Sequence, residues 1–494
     1  MSSTTAPPTG KPGRVLVVDV GTSSVRVGVF DSAGTAQFNV ERELLPDTPA
    51  DGIVEFDARA MATTCLGLAT GALEHAGPVD AIGISNQRGS AIVWDRATGE
   101  PVGPGIGWQD LRTIGACLSL RSEGVRCGPN QSATKLQWIL EQLPDRARAR
   151  DLCFGTVDSW IAWTLSNGTA HVTDATNAAI TGLQVTRAPS TWDTSVLAVL
   201  GIPAEMLPTI VDSTGIIGQA VALPGAPPIA ALLGDQQASL VGQGCVRSGD
   251  AKITFGTGGM LDVVLGATAP DFDQRGSAGT FPIVAWRHDG RVTWGIEAVM
   301  LAAGTNVQWL RDDMRLIANS DESHEIAALC AETGGVVFVP ALLGLGTPAW
   351  DYGARGALFG LTRGSGRPEI VRAVLEGVAH RGADLVEAAE ADSGVAIPAL
   401  RVDGGMTDNP TFVQALADAA QKPVEISPMR EATSRGAALM AGLAVGHHDS
   451  VDDLAQTWKP RVRVEPAQTL DRDRWREAVA RARNWIPELS GIDF

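Results

Sequence analysis

Apolar residues run without a break from Val15 to Val18 and end on Asp19, the pattern of a short buried strand over 14–19. The small-residue turn Gly21-Thr22-Ser23-Ser24 follows, then a second predicted strand over 25–30. After the turn Asp31-Ser32-Ala33-Gly34, a third strand is expected over 36–43. Residues 58–75 have helical spacing and composition, and 79–85 returns to strand. The opening then recurs, with a strand over 251–255, the turn Gly256-Thr257-Gly258-Gly259 and a strand over 261–265. Further on, a helix over 373–391, a strand over 400–403 running into Gly404-Gly405, and a helix over 410–420 are expected. The recurrence predicts two α/β halves, each opening strand, small-residue turn, strand.

Length and composition fit that division. A chain of 494 residues with 44% hydrophobic residues suggests two large domains with sizeable cores. A formal net charge of −17 argues against nucleic acid or an anionic membrane surface as main partner. The six cysteines show no C-x-x-C spacing, which argues against zinc or a redox pair and fits buried thiols in a reducing, cytoplasmic setting. Residues 1–13 are rich in Ser, Thr and Pro and read as a disordered tail, not a signal peptide. No apolar run is long enough to span a membrane. The pair His447-His448 falls in a polar turn and is expected to be solvated.

Four places carry candidate chemistry, each with an ordinary structural alternative. In the first turn, Gly21 to Ser24 could cradle phosphate with backbone N–H groups and hydroxyls, while Asp19 could hold Mg²⁺ through water. The same residues also make a plain hairpin. Gly256 to Gly259 could be the matching clamp from the other half, or a turn. Asp403-Gly404-Gly405-Met406-Thr407-Asp408-Asn409 suits a flat ring laid against backbone, and equally suits helix capping by Asp408 or Asn409. Asp235 follows the apolar run 229–233 and Gly234; it could take a proton from an acceptor hydroxyl during phosphoryl transfer, or simply cap a turn. The P-loop pattern G-x-x-x-x-G-K-[ST] is absent, as are G-x-G-x-x-G between strand and helix, H-E-x-x-H and G-x-S-x-G.

Several runs in order resemble the FGGY carbohydrate kinases, and within them most closely the glycerol kinases. They are Val18 to Ser24, Ala81-Ile82-Gly83-Ile84-Ser85-Asn86-Gln87-Arg88, Trp108-Gln109-Asp110-Leu111-Arg112-Thr113, Ala133 to Ile139, Gly234-Asp235-Gln236-Gln237-Ala238, Phe255-Gly256-Thr257-Gly258, Gly344-Leu345-Gly346 and the stretch from Gly356 to Glu376. The resemblance covers residues 14–446. It implies an α/β fold of two actin-like (ribonuclease H-like) ATPase domains with a cleft between them. The expected boundaries are 14–245 for the first domain, with the substrate side and first phosphate loop, and 246–446 for the nucleotide side. Residues 447–494 would then form an extension packed on the second domain.

The resemblance implies ATP with Mg²⁺ as donor, and a terminal hydroxyl of a polyol or sugar as acceptor. Asp235 matches the catalytic base, and Arg88, Trp108, Asn130, Gln236 and Met260 stand, like Asp235, at acceptor positions. Thr22, Ser23, Ser24 and Arg26 match the first phosphate loop, and Thr257 and Gly258 the second. Gly304, Gln308, Gly405 and Asn409 match the adenosine side, and Asp19 the residue near Mg²⁺. Homodimers or homotetramers are common in the family. Alternatives on the same fold are an actin- or chaperone-like nucleotide-driven interaction module and a non-catalytic kinase-like sensor. Asn86-Gln87-Arg88, Trp108 and Asp235-Gln236 speak against the first, and retention of Asp19 and Asp235 against the second.

The chain departs from glycerol kinases in its acceptor pocket. They carry Glu after the Asn-Gln-Arg run where this chain has Gly89, Tyr where it has Asn130, and Phe near Met260. Loss of the Glu removes charge-assisted hydrogen bonds, and Gly and Asn in place of Glu and Tyr are expected to open volume. Two acceptor classes follow: glycerol in a rebuilt pocket, or a polyol or ketose of four to five carbons. The stretch Val221 to Pro228 has no Lys or Arg, so inhibition by fructose bisphosphate at that loop is not expected.

Overall fold

A computed structural model describes residues 13–429 and 431–492. The predicted N-terminal tail, apart from Gly13, lies outside the described residues.

The strands pair into two large sheets whose central topology repeats. In the first, strand Arg14–Val20 pairs antiparallel with Ser24–Asp31, which pairs antiparallel with Ala36–Glu43. On its other edge Arg14–Val20 pairs parallel with Ala81–Asn86, which pairs parallel with Pro228–Gly234. Thr214–Gln219 closes that side antiparallel. In the second sheet, Ala251–Phe255, Gly259–Gly266 and Arg291–Met300 form the antiparallel set. Leu400–Asp403 and Val424–Ile426 add the parallel strands, and Phe281–His288 and Val462–Val464 form the outer edges. The expected α/β fold with an internal duplication is what forms.

The parallel connections require crossovers, and helices supply them. Helix Ala58–Ala76 starts on Asp57, whose carboxylate accepts from the Arg59 and Ala60 amides, and buries Met61, Cys65, Leu68 and Ala72 against the first sheet. Helix Arg367–Ser393 packs beside helix Pro410–Ala420 on the second sheet. Predicted boundaries differ from these by a few residues, except at Arg367–Ser393, whose polar first turns conceal its start. Strand Val462–Val464 and helix Arg472–Ala482 pack against the second sheet and strand Val337–Val339.

One helix crosses between halves. Ala432–Ala444 falls between two strands of the second sheet in sequence, Val424–Ile426 and Val462–Val464, but lies on the first sheet, against strands Arg14–Val20, Ala81–Asn86 and Pro228–Gly234 and against helix Asp235–Gly242. The contact is nearly backbone on backbone. A Cβ on Gly436 would meet the Ala238 carbonyl at 1.8 Å, and one on Gly242 the Ala432 carbonyl at 1.8 Å. At Gly83 a Cβ would lie 2.5 Å from the Ala437 carbonyl. Just beyond this helix, His447 is enclosed, contrary to expectation, with Nε2 3.2 Å from an Asp80 carboxylate oxygen. Among the described residues no helix is long and apolar enough to cross a membrane.

Candidate active site

Parallel strands end on one side of a sheet, and the expected site residues of the first half gather there. Asp19 lies near the end of Arg14–Val20, Arg88 just past Ala81–Asn86, and Asp235 immediately after Pro228–Gly234. A buried network holds these strand ends. Asn86 and Asn177 exchange side-chain hydrogen bonds of 2.8 and 3.1 Å, and Asn177 donates to Asp174 at 2.9 Å. Thr176 Oγ1 accepts from the Gly234 amide at 2.8 Å, fixing the peptide before Asp235.

Asp235 opens helix Asp235–Gly242, and its carboxylate accepts from the Gln236 amide at 2.8 Å. Arg88 Nε stands 3.6 Å away. Packing around the carboxyl raises its pKa, opposed by the positive charges of Arg88 and Lys252. About 32% of the side chain stays open, so the group can be reached from the cleft.

Arg88 is nearly buried and joins the two halves. Its Nη2 donates to Glu297 at 2.6 Å, from strand Arg291–Met300 of the second sheet. Burial works to lower the Arg88 pKa, but Glu297, Asp235 and Asp262 outweigh it and the net shift is upward. Its Nη1 is buried with no hydrogen-bond partner among the described residues.

The departure at Gly89 takes a form the sequence did not show. Gly89 has φ +72°, and a Cβ there would meet the Asn130 carbonyl oxygen at 2.3 Å. The expected opening of volume therefore does not occur at this position: backbone of the 128–130 turn fills it. An acid does stand beside Arg88: Glu297, 209 residues away, accepts from its Nη2. Lys135 fastens the arrangement, donating to the Gly89 carbonyl at 3.1 Å and the Trp108 carbonyl at 3.4 Å. Burial lowers the Lys135 pKa to about 7. Trp108 in turn reaches Thr22, its indole N–H 3.1 Å from Oγ1, so an acceptor residue and a phosphate-loop residue touch.

At the first loop, Asp19 accepts from Ser85 at 2.9 Å and from Ser434 on the crossing helix at 3.0 Å. Burial raises its pKa to about 6, against the pull of Ser85, Arg26 and Ser434. Arg26 lies 3.8 Å from Asp19 and pairs more closely with Glu431 at 2.5 Å and Glu41 at 3.1 Å. Ser24 donates to Glu41 at 2.6 Å, so its hydroxyl is committed to protein, whereas Ser23 is exposed.

The nucleotide-side positions cluster in the second half. The Gly256 and Thr257 carbonyls accept from the Gly304 and Ala303 amides at 2.9 and 2.8 Å. Close approach demands glycine: a Cβ on Gly304 would lie 2.6 Å from the Gly256 carbonyl, and one on Gly258 2.8 Å from the Met300 carbonyl. Gln308 is exposed on helix Gly304–Asp312, and Gly405 faces open space. Asn409 spends its amide on protein, accepting from Phe412 N at 3.0 Å and donating to Ser323 at 2.8 Å. The capping alternative at 403–409 is thus realised, by Asn409. Met260 is half-buried across from Thr254 and Val299.

These residues fit MgATP. No cluster of three His, Cys, Asp or Glu groups suited to a metal occurs among the described residues. Mg²⁺ commonly keeps several waters and takes one or two carboxylates plus phosphate oxygens, and Asp19 supplies a carboxylate in such a setting. The glycine turns supply the backbone N–H groups that phosphates require.

Motif reading missed Glu297, Lys252, Asp262, Glu431 and Ser434. A signal existed for two of them: Asp262 and Glu297 each interrupt an apolar strand, and a lone acid there is rarely without purpose. Nothing local marked Glu431 or Ser434.

Comparison with known proteins agrees with this geometry. Residues 14–242 match the N-terminal domain, and 251–445 the C-terminal domain, of the FGGY family of carbohydrate kinases. A glycerol kinase of Aromatoleum aromaticum is 41% identical over 96% of this chain and 99% of its own length. One of Deinococcus radiodurans is 40% identical over 95% of this chain and 98% of its own. The crystal structure of Plasmodium falciparum glycerol kinase with ADP superimposes with a TM-score of 0.89, at 27% identity over 99% of this chain and all of that one. The chain belongs to the FGGY family of carbohydrate kinases and is an ATP-dependent kinase that works with Mg²⁺.

Proposed function

We propose that the protein transfers the γ-phosphoryl group of ATP to a terminal hydroxyl of a small polyol, with glycerol as acceptor. The observation that carries the choice of glycerol is the rebuilt acceptor corner. Glu297 restores an acid beside Arg88, and the Asn130 carbonyl occupies the space that Gly89 would otherwise leave. Both support a short acceptor over one of four to five carbons. The names borne by relatives at about 40% identity point the same way.

In this reading Asp235 is the base. It accepts the proton of the acceptor hydroxyl as the oxygen bonds to phosphorus, and its raised pKa suits that task. Arg88 Nη1, a buried donor with no hydrogen-bond partner among the described residues, binds an acceptor hydroxyl; leaving it bare would cost about 1–3 kcal/mol. Gln236, Trp108, Asn130 and Met260 complete the acceptor wall. Thr22, Ser23, Ser24 and Arg26 face the donor phosphates from one side, and Thr257 and Gly258 from the other. Ser24 and Arg26 act chiefly by shaping the loop, since Glu41 and Glu431 engage them. Gly304, Gln308, Gly405 and Asn409 form the adenosine side, with Asn409 contributing loop shape. Asp19 would hold Mg²⁺ through water, and the ion neutralises charge on the phosphates.

We place domain boundaries near residues 245 and 446 and the enzyme in the cytoplasm. The six unpaired cysteines, five of them buried, support that setting. A self-associated state, dimer or tetramer, is part of the proposal and is read by light scattering. The test of function is kcat/KM with MgATP for glycerol, erythritol, threitol, xylitol and D-xylulose. Glycerol is expected to be best. A larger acceptor leading by a wide margin would overturn the choice. ATP turnover stimulated by a protein partner, and by no polyol, would favour the interaction-module alternative.

A further inference from the structure

One buried ion pair lies beside the acceptor corner and has no part in the roles above. Lys252 on strand Ala251–Phe255 and Asp262 on Gly259–Gly266 are in register, and neither side chain is exposed. Their Nζ and Oδ2 atoms are 2.9 Å apart. Among the described residues Lys252 is the only group at ion-pair distance from Asp262.

An ammonium has three protons and no lone pair. Lys252 donates to Gln236 Oε1 at 2.6 Å and to Thr254 Oγ1 at 3.1 Å, and Asp262 Oδ2 stands 2.9 Å from the same Nζ as its ion-pair partner. Lys252 is thus held by three protein groups. Its contact with Gln236 decides something else. Only a carbonyl oxygen can face an ammonium, so the amide of Gln236 has one permitted orientation. Its Nε2 points to the other side, where no protein acceptor engages it among the described residues. Asp235 accepts from the backbone N–H of the same Gln236.

Burial of this depth works to strip a lysine of its proton. The carboxylates of Asp262, Asp403 and Asp235 outweigh it and keep Lys252 charged. Asp262 is the nearest of them and the one in register. Ion pairs so deeply buried add little stability over a well-packed apolar pair. Stability alone gives no reason for an acid in the middle of Met260-Leu261-Asp262-Val263-Val264.

We propose that Lys252 and Asp262 are positioning residues for the acceptor: Asp262 holds Lys252 as an ammonium, and Lys252 locks the Gln236 amide so that Nε2 donates to the acceptor hydroxyl. The hydroxyl oxygen accepts from Gln236 while its proton faces Asp235, so one residue pair orients both ends of the O–H bond. Because Gln236 belongs to the first half of the chain and Lys252 and Asp262 to the second sheet, the lock forms only when the halves are together.

This inference rests on the polyol kinase reading, and the experiment separates the two. The full-length Lys252→Met/Asp262→Leu enzyme replaces the ion pair by an apolar one, and its unfolding temperature is expected to be unchanged or higher. Its KM for glycerol is expected to rise about tenfold, the loss of one hydrogen bond to substrate, with kcat falling less and the KM for MgATP within about twofold of wild type. A folded double variant with unchanged glycerol KM would reduce the pair to a structural role. Asp262→Asn, which keeps side-chain volume, gives a second reading: the same rise in glycerol KM supports the lock, and an unchanged KM refutes it. If wild type phosphorylates no polyol, the functional reading itself fails, and this one with it.

Discussion

At Asp235 the surroundings decide chemistry that residue type alone leaves open. The carboxylate sits at a helix start, half-enclosed, with one arginine 3.6 Å away. Asp235→Asn keeps its size and removes its basicity. We expect kcat to fall by about 10²-fold or more in steady-state assays, with MgATP binding retained. Asp19 gives a pH signature. Its pKa is raised to about 6, so the empty site favours the protonated form below that pH, and the ionised form costs stability above it. Binding of Mg²⁺ requires the ionised form. MgATP affinity measured by calorimetry is therefore expected to weaken as pH falls through about 6. Since Asp235 adds to the upward shift, that midpoint should move lower in Asp235→Asn. Gly89 offers a third check. Its φ of +72° and the Asn130 carbonyl, 2.3 Å from where a Cβ would stand, leave no room for a side chain. Gly89→Glu should lose stability and glycerol turnover alike, though it restores the residue type of glycerol kinases.

The decisive element is the pair of helices Asp235–Gly242 and Ala432–Ala444. Neither is notable by sequence pattern: one is short, the other alanine-rich. Their glycines let the backbones touch, and Arg435 ties the crossing by donating to the Gly242 carbonyl at 2.6 Å. The second helix thereby delivers Ser434 to Asp19, and Glu431, just before its start, to Arg26. Gly436→Ala would force the helices apart at a carbonyl contact. A loss of about 1–3 kcal/mol, the usual cost of overpacking, is expected in denaturant unfolding, together with a raised KM for MgATP. Strands and helices were legible where periodicity was strong, as at 36–43, 251–255, 400–403 and 410–420. The role of Ala432–Ala444 was not, because small residues announce close packing without naming the partner.

For the whole molecule, several polar contacts between the halves gather at the site: Arg88 with Glu297, Lys252 with Gln236, Asp19 with Ser434 and Arg26 with Glu431. Ligands that bind there bind the assembled state. Glycerol or MgADP at a hundred times its Kd should each stabilise the fold by about 2.7 kcal/mol, seen as a rise in unfolding temperature. In Glu297→Gln the shift from glycerol should shrink while that from MgADP persists. The sequence by itself determined the duplicated strand–turn–strand plan, the glycine turns and the Asp19, Arg88 and Asp235 positions, because strand pattern and turn chemistry are local and the motifs are contiguous. Only the tertiary structure decided which acid stands beside Arg88, what fills the space at Gly89, and which groups hold Gln236 and Asp19. Those partners lie 209 residues away for Arg88 and 415 for Asp19, and at such separations contact depends on how two sheets and one crossing helix are placed, not on any spacing along the chain.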